Sequence, residues 1–358
     1  MSSKPELTSL FDEYSNKGLT GLTNVGNSCY LNSCMQVLSH TYELNNFIKN
    51  GEYKKKLNNI PDSVILLEWD KLRELMWSTN CTVAPHGFVK TIRKIATIKN
   101  RDIFTGHDQN DVQEFLLFLI DAFHSALSRE VDMQINGKML SETDKLATIC
   151  YTMMKNMYKK EYSEILNVFY GIHVSEIISN TTSEILSAMP EPFSVLSLSL
   201  PNKANGGIVT LYDCFDLYCE PEILSEANGN AWFNDKTNKK EDVDKQVVFW
   251  SLPKVMIISL KRFTADGRKI QVPVDIPLNN LDLSKFVYGY DKDTYNYELY
   301  GICNHMGGTL GGHYTAFVKN ASGKWFSYND TIVIEIDIEK SLNKTYAYCL
   351  FYRKKVDV

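Results

Sequence analysis

The stretch Gly21-Leu22-Thr23-Asn24-Val25-Gly26-Asn27-Ser28-Cys29-Tyr30-Leu31-Asn32-Ser33-Cys34-Met35-Gln36-Val37-Leu38-Ser39-His40 changes character in its middle. Up to Ser28 it is rich in turn residues, with glycine at 21 and 26 and asparagine at 24 and 27. From Cys29 onward apolar residues recur at helical spacing through Leu31, Met35 and Leu38. The pattern predicts a loop feeding a helix, with Ser28 as its N-cap. Cys29 then lies in the first helical turn, where unpaired N–H groups and the helix dipole favour thiolate over thiol. Asn24 supplies an amide that can donate a hydrogen bond to an oxyanion, beside the backbone N–H of Cys29. The glycines let a bound chain come close to the backbone. The competing reading is a cysteine that only packs, since free cysteine is among the most buried residue types. Partners elsewhere in the chain decide between the two.

A thiol nucleophile needs a base to take its proton and a group to orient that base. His305-Met306-Gly307-Gly308-Thr309-Leu310-Gly311-Gly312-His313-Tyr314 sets four glycines between two histidines, a mobile loop leading into a strand that begins at Tyr314. The glycines crowding His313 imply close approach of another backbone. Trp325-Phe326-Ser327-Tyr328-Asn329-Asp330 reads as the next strand of a meander. Its end can return beside His313, so that Asn329 or Asp330 accepts a hydrogen bond from the imidazole. A further stretch, Gln109-Asn110-Asp111-Val112-Gln113-Glu114-Phe115-Leu116, opens an amphipathic helix whose apolar positions continue through Leu119, Phe123 and Leu127. Asp111 and Glu114 share another face. From the residues alone they are carboxylates that stabilise a helix N-terminus.

With 358 residues, 44% of them hydrophobic, the chain can form one large or two ordinary domains. A formal net charge of −5 gives no electrostatic argument for nucleic acid or an anionic membrane. No apolar run approaches the roughly 20 residues of a membrane span, and the amino terminus lacks a signal-peptide core. Cytosol or nucleus is the expected compartment. There the eight cysteines, at 29, 34, 81, 150, 214, 219, 303 and 349, are expected to be free thiols.

Helical spacing recurs over residues 61–80, through Val64, Leu67, Trp69, Leu72, Leu75 and Met76, and again through Phe88, Ile92 and Ile95. Residues 128–165 read as an insertion holding a helix with Leu146, Ile149, Cys150, Met153, Met154 and Met157 on one side, capped by Ser141 and Asp144. From about residue 166 the pattern turns to short strands at 193–200, 246–250, 255–260, 297–303, 314–318, 325–328 and 346–352. A short helix over 211–219 and a polar hairpin tip within 226–244 lie between them. Helices first and strands afterwards predict an α+β fold with a cleft between a helical and a sheet lobe.

The segment from Gly21 through Ser33 resembles the Cys box of the ubiquitin-specific proteases, a family of papain-like deubiquitinating enzymes, and residues 301–330 resemble its His box. The stretch from Gln109 through Leu116 is similar to a further signature of the family. Leu260-Lys261-Arg262-Phe263 is similar to its palm strand, and Ala347-Tyr348-Cys349-Leu350-Phe351-Tyr352-Arg353 to its closing strand. The resemblance implies one catalytic domain over 19–354, between a lead-in at 1–18 and a tail at 355–358. Its parts are a helical thumb over about 19–165, including the insertion, and β-rich fingers and palm over about 166–354, with the cleft between thumb and palm. It implies Cys29 as nucleophile, His313 as base, Asn329 as third triad member with Asp330 the less favoured orienter, and Asn24 in the oxyanion hole. Asp111 and Glu114 inherit binding of the arginine-containing tail of ubiquitin, with His305, Tyr314, Phe263, Gly311 and Gly312 along the same tail.

The implied activity is hydrolysis of the thioester, isopeptide or peptide bond after the terminal glycine of ubiquitin, with ubiquitin and ubiquitinated proteins as partners and no cofactor. Two rivals stand beside it: a ubiquitin-binding module with weak or lost catalysis, and a protease for another ubiquitin-like modifier. The chain departs from the family in two places. The two Cys-x-x-Cys pairs of a zinc ribbon in the fingers are missing: residues 175–180 read Ser-Glu-Ile-Ile-Ser-Asn, and 227–240 hold no cysteine. Cys214 and Cys219 have the wrong spacing, so no zinc is expected. Ala265 stands where some relatives have an aromatic residue on the tail, a loss on the order of 1 kcal/mol.

Overall fold

The computed structural model describes residues 13–106, 108–203, 207–308 and 311–355, the side chain of residue 102 left aside. Its axis is helix α1, Cys29–Ser39, every residue of which is buried. The expected one-sided stripe is therefore a helix enclosed on all faces, and several of its polar side chains bond to backbone carbonyls. Gln36 Nε2 donates to the Thr20 carbonyl at 2.7 Å, Ser33 Oγ to that of Tyr30 at 3.0 Å and Ser39 Oγ to that of Gln36 at 2.9 Å.

One side of α1 is covered by the helical lobe: α2 (Tyr42–Ile48), α3 (Pro61–Ser78), α4 (His86–Ile98) and α5 (Val112–Leu127). Proline at N1 starts α3, where its missing N–H costs nothing. Its buried face is Ile65, Leu66, Trp69, Leu72 and Met76, while Val64 and Leu75 of the expected stripe point to solvent. Packing against α5 selects among the apolar positions the helix offers.

Helix α6, Glu142–Tyr158, opens with the expected capping box of Ser141 and Asp144. Its Ala147 and Cys150 pack on Ile172, Val174, Val248 and Trp250, so the helix lies against the fingers and not against the helical lobe. The fingers are built from β1 (Gly171–Ser179) and β2 (Ile185–Phe193), followed by β3 (Val195–Ser199) of the palm, α7 (Leu211–Cys219), and then β4 (Glu222–Leu224) and β5 (Val243–Ser251). Their sheet order is β2-β1-β5-β4. Strands β1 and β2 escaped the sequence reading: β2 carries Pro190 and Pro192, which are tolerated because it is an edge strand. The polar hairpin tip is present, with Trp232–Asn234 paired to Lys239–Glu241.

The palm adds β6 (Val255–Lys261), β7 (Asn296–Gly308), β8 (Gly311–Lys319), β9 (Trp325–Asn329), β10 (Ile332–Ile336) and β11 (Ala347–Lys354), in the order β10-β9-β8-β7-β11-β6-β3. Alternate residues enter different cores: Val255 and Ile257 of β6 face α1 and the helical lobe, whereas Met256, Ile258 and Leu260 join α7 on the far side. Burial on both faces explains why these strands read as continuous apolar runs. The α+β architecture expected from the sequence is thus a helical lobe and a sheet lobe sharing α1.

The C-terminal end of α1 is held by the palm. Arg353 of β11 donates to the His40 carbonyl at 2.9 Å and to Glu43 at 2.6 Å, its guanidinium 4.7 Å from the Tyr42 ring centroid and 4.3 Å from that of Tyr300. Burial pushes the pKa of His40 down to about 4, against the pull of its hydrogen bond to the Gln36 carbonyl. The unfolded chain takes up this proton near pH 6.5 and the folded protein only near 4, so His40 stabilises the fold above pH 6.5 and this contribution is lost as pH falls. Urea unfolding is expected to show about 2 kcal/mol less stability at pH 5 than at pH 7 from this group. A pH slope unchanged in His40→Gln would refute that assignment.

Candidate active site

The loop before α1 is folded on itself by two residues. Asn24 Oδ1 accepts from the Ser28 N–H at 3.1 Å and from Ser28 Oγ at 3.3 Å, and Ser28 Oγ accepts from the Val25 N–H at 2.9 Å. Ser28 stands at the N-cap position, yet its side chain makes no capping bond because the hydroxyl is engaged by the loop. Gly26 and Asn27 supply the left-handed backbone of the turn, with φ of 88° and 50°. The loop is joined to the β9–β10 turn: the Leu22 N–H donates to the Asp330 carbonyl at 2.8 Å. A Cβ on Gly21 would lie 2.4 Å from the Thr331 carbonyl oxygen, so only glycine permits the approach.

His313 Nε2 meets Asn329 Oδ1 at 2.7 Å. Nδ1 is therefore the ring nitrogen left for the thiol. Asp330, the other orienter the sequence offered, turns away: its backbone reverses at φ 49° and its carboxylate accepts from Asn24 Nδ2 at 3.0 Å and Asn32 Nδ2 at 2.7 Å. Asn24 Nδ2 carries two protons and Asp330 takes one of them. The structure thus splits the adjacent pair, with Asn329 serving the imidazole and Asp330 the amide of Asn24.

Cys29 is only 3% exposed, and the Tyr314 N–H, one residue past His313, hydrogen-bonds its sulfur. Burial pushes its thiol above the ordinary range; the N–H groups of Tyr314 and Tyr30 oppose this, and the charge of Asp330 adds to it. Burial thus works against the helix terminus, which favours the thiolate. Its reactivity depends on transfer of the proton to a base.

A groove of about 420 Å³ leads away from Tyr314 between Gln109, Asn110, Asp111 and Glu114 on one wall and Phe263, His305 and Tyr348 on the other. The helix opens later than expected, at Val112, and Asp111 is its N-cap. The Asp111 carboxylate accepts from the N–H groups of Gln113 at 2.7 Å and Glu114 at 3.2 Å and from the Tyr348 hydroxyl. Much of its hydrogen-bonding capacity is therefore used within the fold. Glu114 is exposed and makes no ion pair among the described residues, which leaves it as the available carboxylate.

His305 packs its ring 4.6 Å from that of Tyr314 and 5.5 Å from that of Phe263. Lys269 Nζ lies 3.2 Å from its Nδ1 and donates to its carbonyl at 2.6 Å. Burial, then the Lys269 charge, lowers the His305 pKa to about 4, so the ring lining the groove is neutral. A Cβ on Gly312 would sit 2.3 Å from His305 Nε2, so this glycine is required by packing. The glycine-rich run expected as a mobile loop is a paired hairpin, with Met306 opposite His313, Gly307 opposite Gly312 and Gly308 opposite Gly311; residues 309 and 310 lie outside the described ones. Ala265 is exposed in the turn after Phe263.

Sequence reasoning missed Gln109. Its Nε2 donates to the Gly312 carbonyl at 2.7 Å and its Oε1 accepts from the Gly312 N–H at 2.6 Å, so it grips the peptide next to His313 from the opposite wall. A neutral side chain before a helix gives no pattern signal. Gln109→Ala is expected to lower kcat about tenfold with little change in Tm, as two hydrogen bonds of about 1 kcal/mol each are lost at an exposed site. Unchanged kcat would show that His313 is positioned without them.

The fingers do not fit a zinc ion. Their hairpin is closed by Asn234 Nδ2 and Thr237 Oγ1, which donate to Glu241 at 3.0 and 2.6 Å. Cys214 is buried on α7 with Sγ donating to the Thr210 carbonyl, and Cys219 ends the same helix. Among the described residues no group of three or more His, Cys, Asp or Glu side chains could hold a metal ion.

The chain belongs to the ubiquitin carboxyl-terminal hydrolase family, whose model matches residues 20–352. It is similar to Ubiquitin carboxyl-terminal hydrolase Usp2 of Drosophila melanogaster, 34% identical over 94% of this chain and 35% of the relative. It is similar to Ubiquitin carboxyl-terminal hydrolase 2 of Homo sapiens, 30% identical over 94% of this chain and 55% of the relative. The Gallus gallus protein of that name is 33% identical over 94% of this chain and 93% of its own length. The chain thus spans only about a third to a half of the fly and human relatives. Its fold is similar to that of a chain in the structure of the SAGA Ubp8/Sgf11/Sus1/Sgf73 DUB module bound to ubiquitin aldehyde, with a TM-score of 0.72, 24% identity and coverage of 100% of this chain and 72% of that one.

Proposed function

We propose that this chain is a deubiquitinating cysteine protease that hydrolyses the bond after the terminal glycine of ubiquitin. What supports the reading is that the N–H of Tyr314, next to His313, bonds the Cys29 sulfur, while His313 pairs with Asn329 and Asp330 both pairs with Asn24 and acts on Cys29 by its charge. His313 Nδ1 takes the Cys29 proton, and the thiolate attacks the glycine carbonyl. Asn24 Nδ2 and the Cys29 N–H stabilise the oxyanion. His313 then gives its proton to the departing lysine amine as the carbon–nitrogen bond breaks. Water, deprotonated by His313, attacks the thioester and releases the glycine carboxylate and the thiol. The groove from Glu114 to Gly312 takes the tail, with Glu114 the carboxylate for its arginine, His305, Tyr314 and Phe263 along its apolar side, and the hairpin of Gly311 and Gly312 at the narrow glycine end. Asp111 shapes the groove through Tyr348. The eight free cysteines favour a reducing compartment, cytosol or nucleus, as the place of work.

The test is covalent labelling with ubiquitin carrying a thiol-reactive electrophile at its C-terminus, mapped by peptide mass spectrometry. An adduct on the peptide holding Cys29 is expected. An adduct formed only with a probe built on another ubiquitin-like modifier would change the substrate. Ubiquitin binding without any adduct would replace the reading with a binding module.

A further inference from the structure

A scissile isopeptide has two sides, and the groove of Gln109, Glu114, His305 and Tyr348 accounts only for the acyl side. A second concavity, of about 480 Å³, is lined by Val25, His86, Val89, Lys90 and Arg93 and shares no residue with that groove. It touches the nucleophile loop directly, since Val25 lies between Asn24 and Cys29. Arg93 is close enough to lower the pKa of Tyr30, the residue after the nucleophile, against the larger rise from burial. The concavity therefore opens beside Cys29, on a rim that the tail groove does not use.

Its chemistry departs from that of the chain. The protein carries a formal charge of −5, with 43 acidic against 38 basic residues, yet the concavity holds no carboxylate. His86, Lys90, Arg93 and Lys94 fall at i, i+4, i+7 and i+8 of α4 and so share one face of the helix. His86, Lys90 and Lys94 are exposed, and Val89 forms a buried apolar floor. The carboxylate of Glu68 on α3, which approaches Gly87, is paired with Lys71 at 2.6 Å. A cationic face with an apolar floor fits an extended acidic segment and rejects a basic one.

We propose that this face of α4 is the leaving-group docking surface, and that it takes an acidic segment of the protein whose lysine is joined to ubiquitin. The inference rests on the catalytic reading above and names the class of conjugate that the same site prefers. Ubiquitin brings its tail to one side of Cys29, and acidic residues flanking the lysine settle on the exposed His86, Lys90 and Lys94 at the other. Exposed pairs of this kind are weak singly and screened by salt, so the surface acts as a selectivity filter and not as an anchor.

The experiment compares three substrates with the full chain: ubiquitin bearing a small neutral fluorogenic leaving group, and ubiquitin isopeptide-linked to a lysine peptide flanked either by aspartates or by lysines. At low salt kcat/KM for the acidic conjugate is expected to exceed that for the basic one by about fivefold to tenfold, with the gap closing as salt rises. Lys90→Glu is expected to remove or invert the order while leaving the small-leaving-group substrate unchanged. Equal rates on both conjugates, or a preference that survives Lys90→Glu, would overturn the docking surface and leave the catalytic reading intact. Failure to cleave even the small-leaving-group substrate would instead remove the catalytic reading, and this inference with it.

Discussion

Asp330→Asn is expected to lower kcat/KM on the order of 100-fold while making the resting Cys29 thiol react faster with iodoacetamide. The two effects have separate causes. Asp330 holds one proton of the Asn24 amide and, through Asn32, ties that amide to α1. The two amides bond different oxygens of the carboxylate, and asparagine turns one of these into an NH2 donor, so the oxyanion donor loses its aim and the transition state its stabilisation. The negative charge of Asp330 also contributes to the raised pKa of Cys29, and its removal lowers that pKa and exposes more thiolate at a given pH. Asparagine tolerates the φ of 49° at this position, so the backbone is preserved. Asn24→Ala is expected to cost a similar factor, and the double variant little more, because both changes disable one donor. Slower alkylation in Asp330→Asn would mean that the residue serves the imidazole after all.

Arg353→Leu is expected to lose about 3–5 kcal/mol of unfolding free energy in urea melts. Arg353 is 5% exposed, and its guanidinium satisfies the carbonyl that ends α1, pairs with Glu43 and lies against Tyr42 and Tyr300. Its removal leaves a mostly buried carboxylate without that partner and a helix end without its cation. The double variant Arg353→Leu/Glu43→Leu is expected to recover part of the loss, because a hydrophobic pair avoids the desolvation of an unpaired charge. A loss under about 1 kcal/mol in the single variant would contradict an anchoring role. The helix anchored here at its C-terminus carries the nucleophile at its N-terminus, so activity is expected to fall with temperature in parallel.

Much of the candidate site was legible because its parts are local. A cysteine after a turn-rich loop, glycines before a histidine and an Asn-Asp pair ending a strand each leave a mark within a few residues. Apolar spacing marked α4 and the capping residues marked α6, whereas the buried face of α3 depended on which neighbour it met. The finger strand β2 was illegible because an edge strand with prolines lacks the apolar run of a buried one.

By itself the sequence determined that helices come first and strands after, the loop-to-helix junction at Cys29 and the residue types available for acid–base work, since these follow from short-range sterics and periodicity. Only the tertiary structure decided how Asn329 and Asp330 divide their work, why Asp111 is engaged within the fold, and that Gln109 reaches Gly312 across the groove. It also decided that Cys29 is buried, which pushes its thiol up. Each of these depends on which distant groups share a low-dielectric space, and hydrogen-bond geometry and desolvation are set by neighbours in space, which spacing along a chain does not encode.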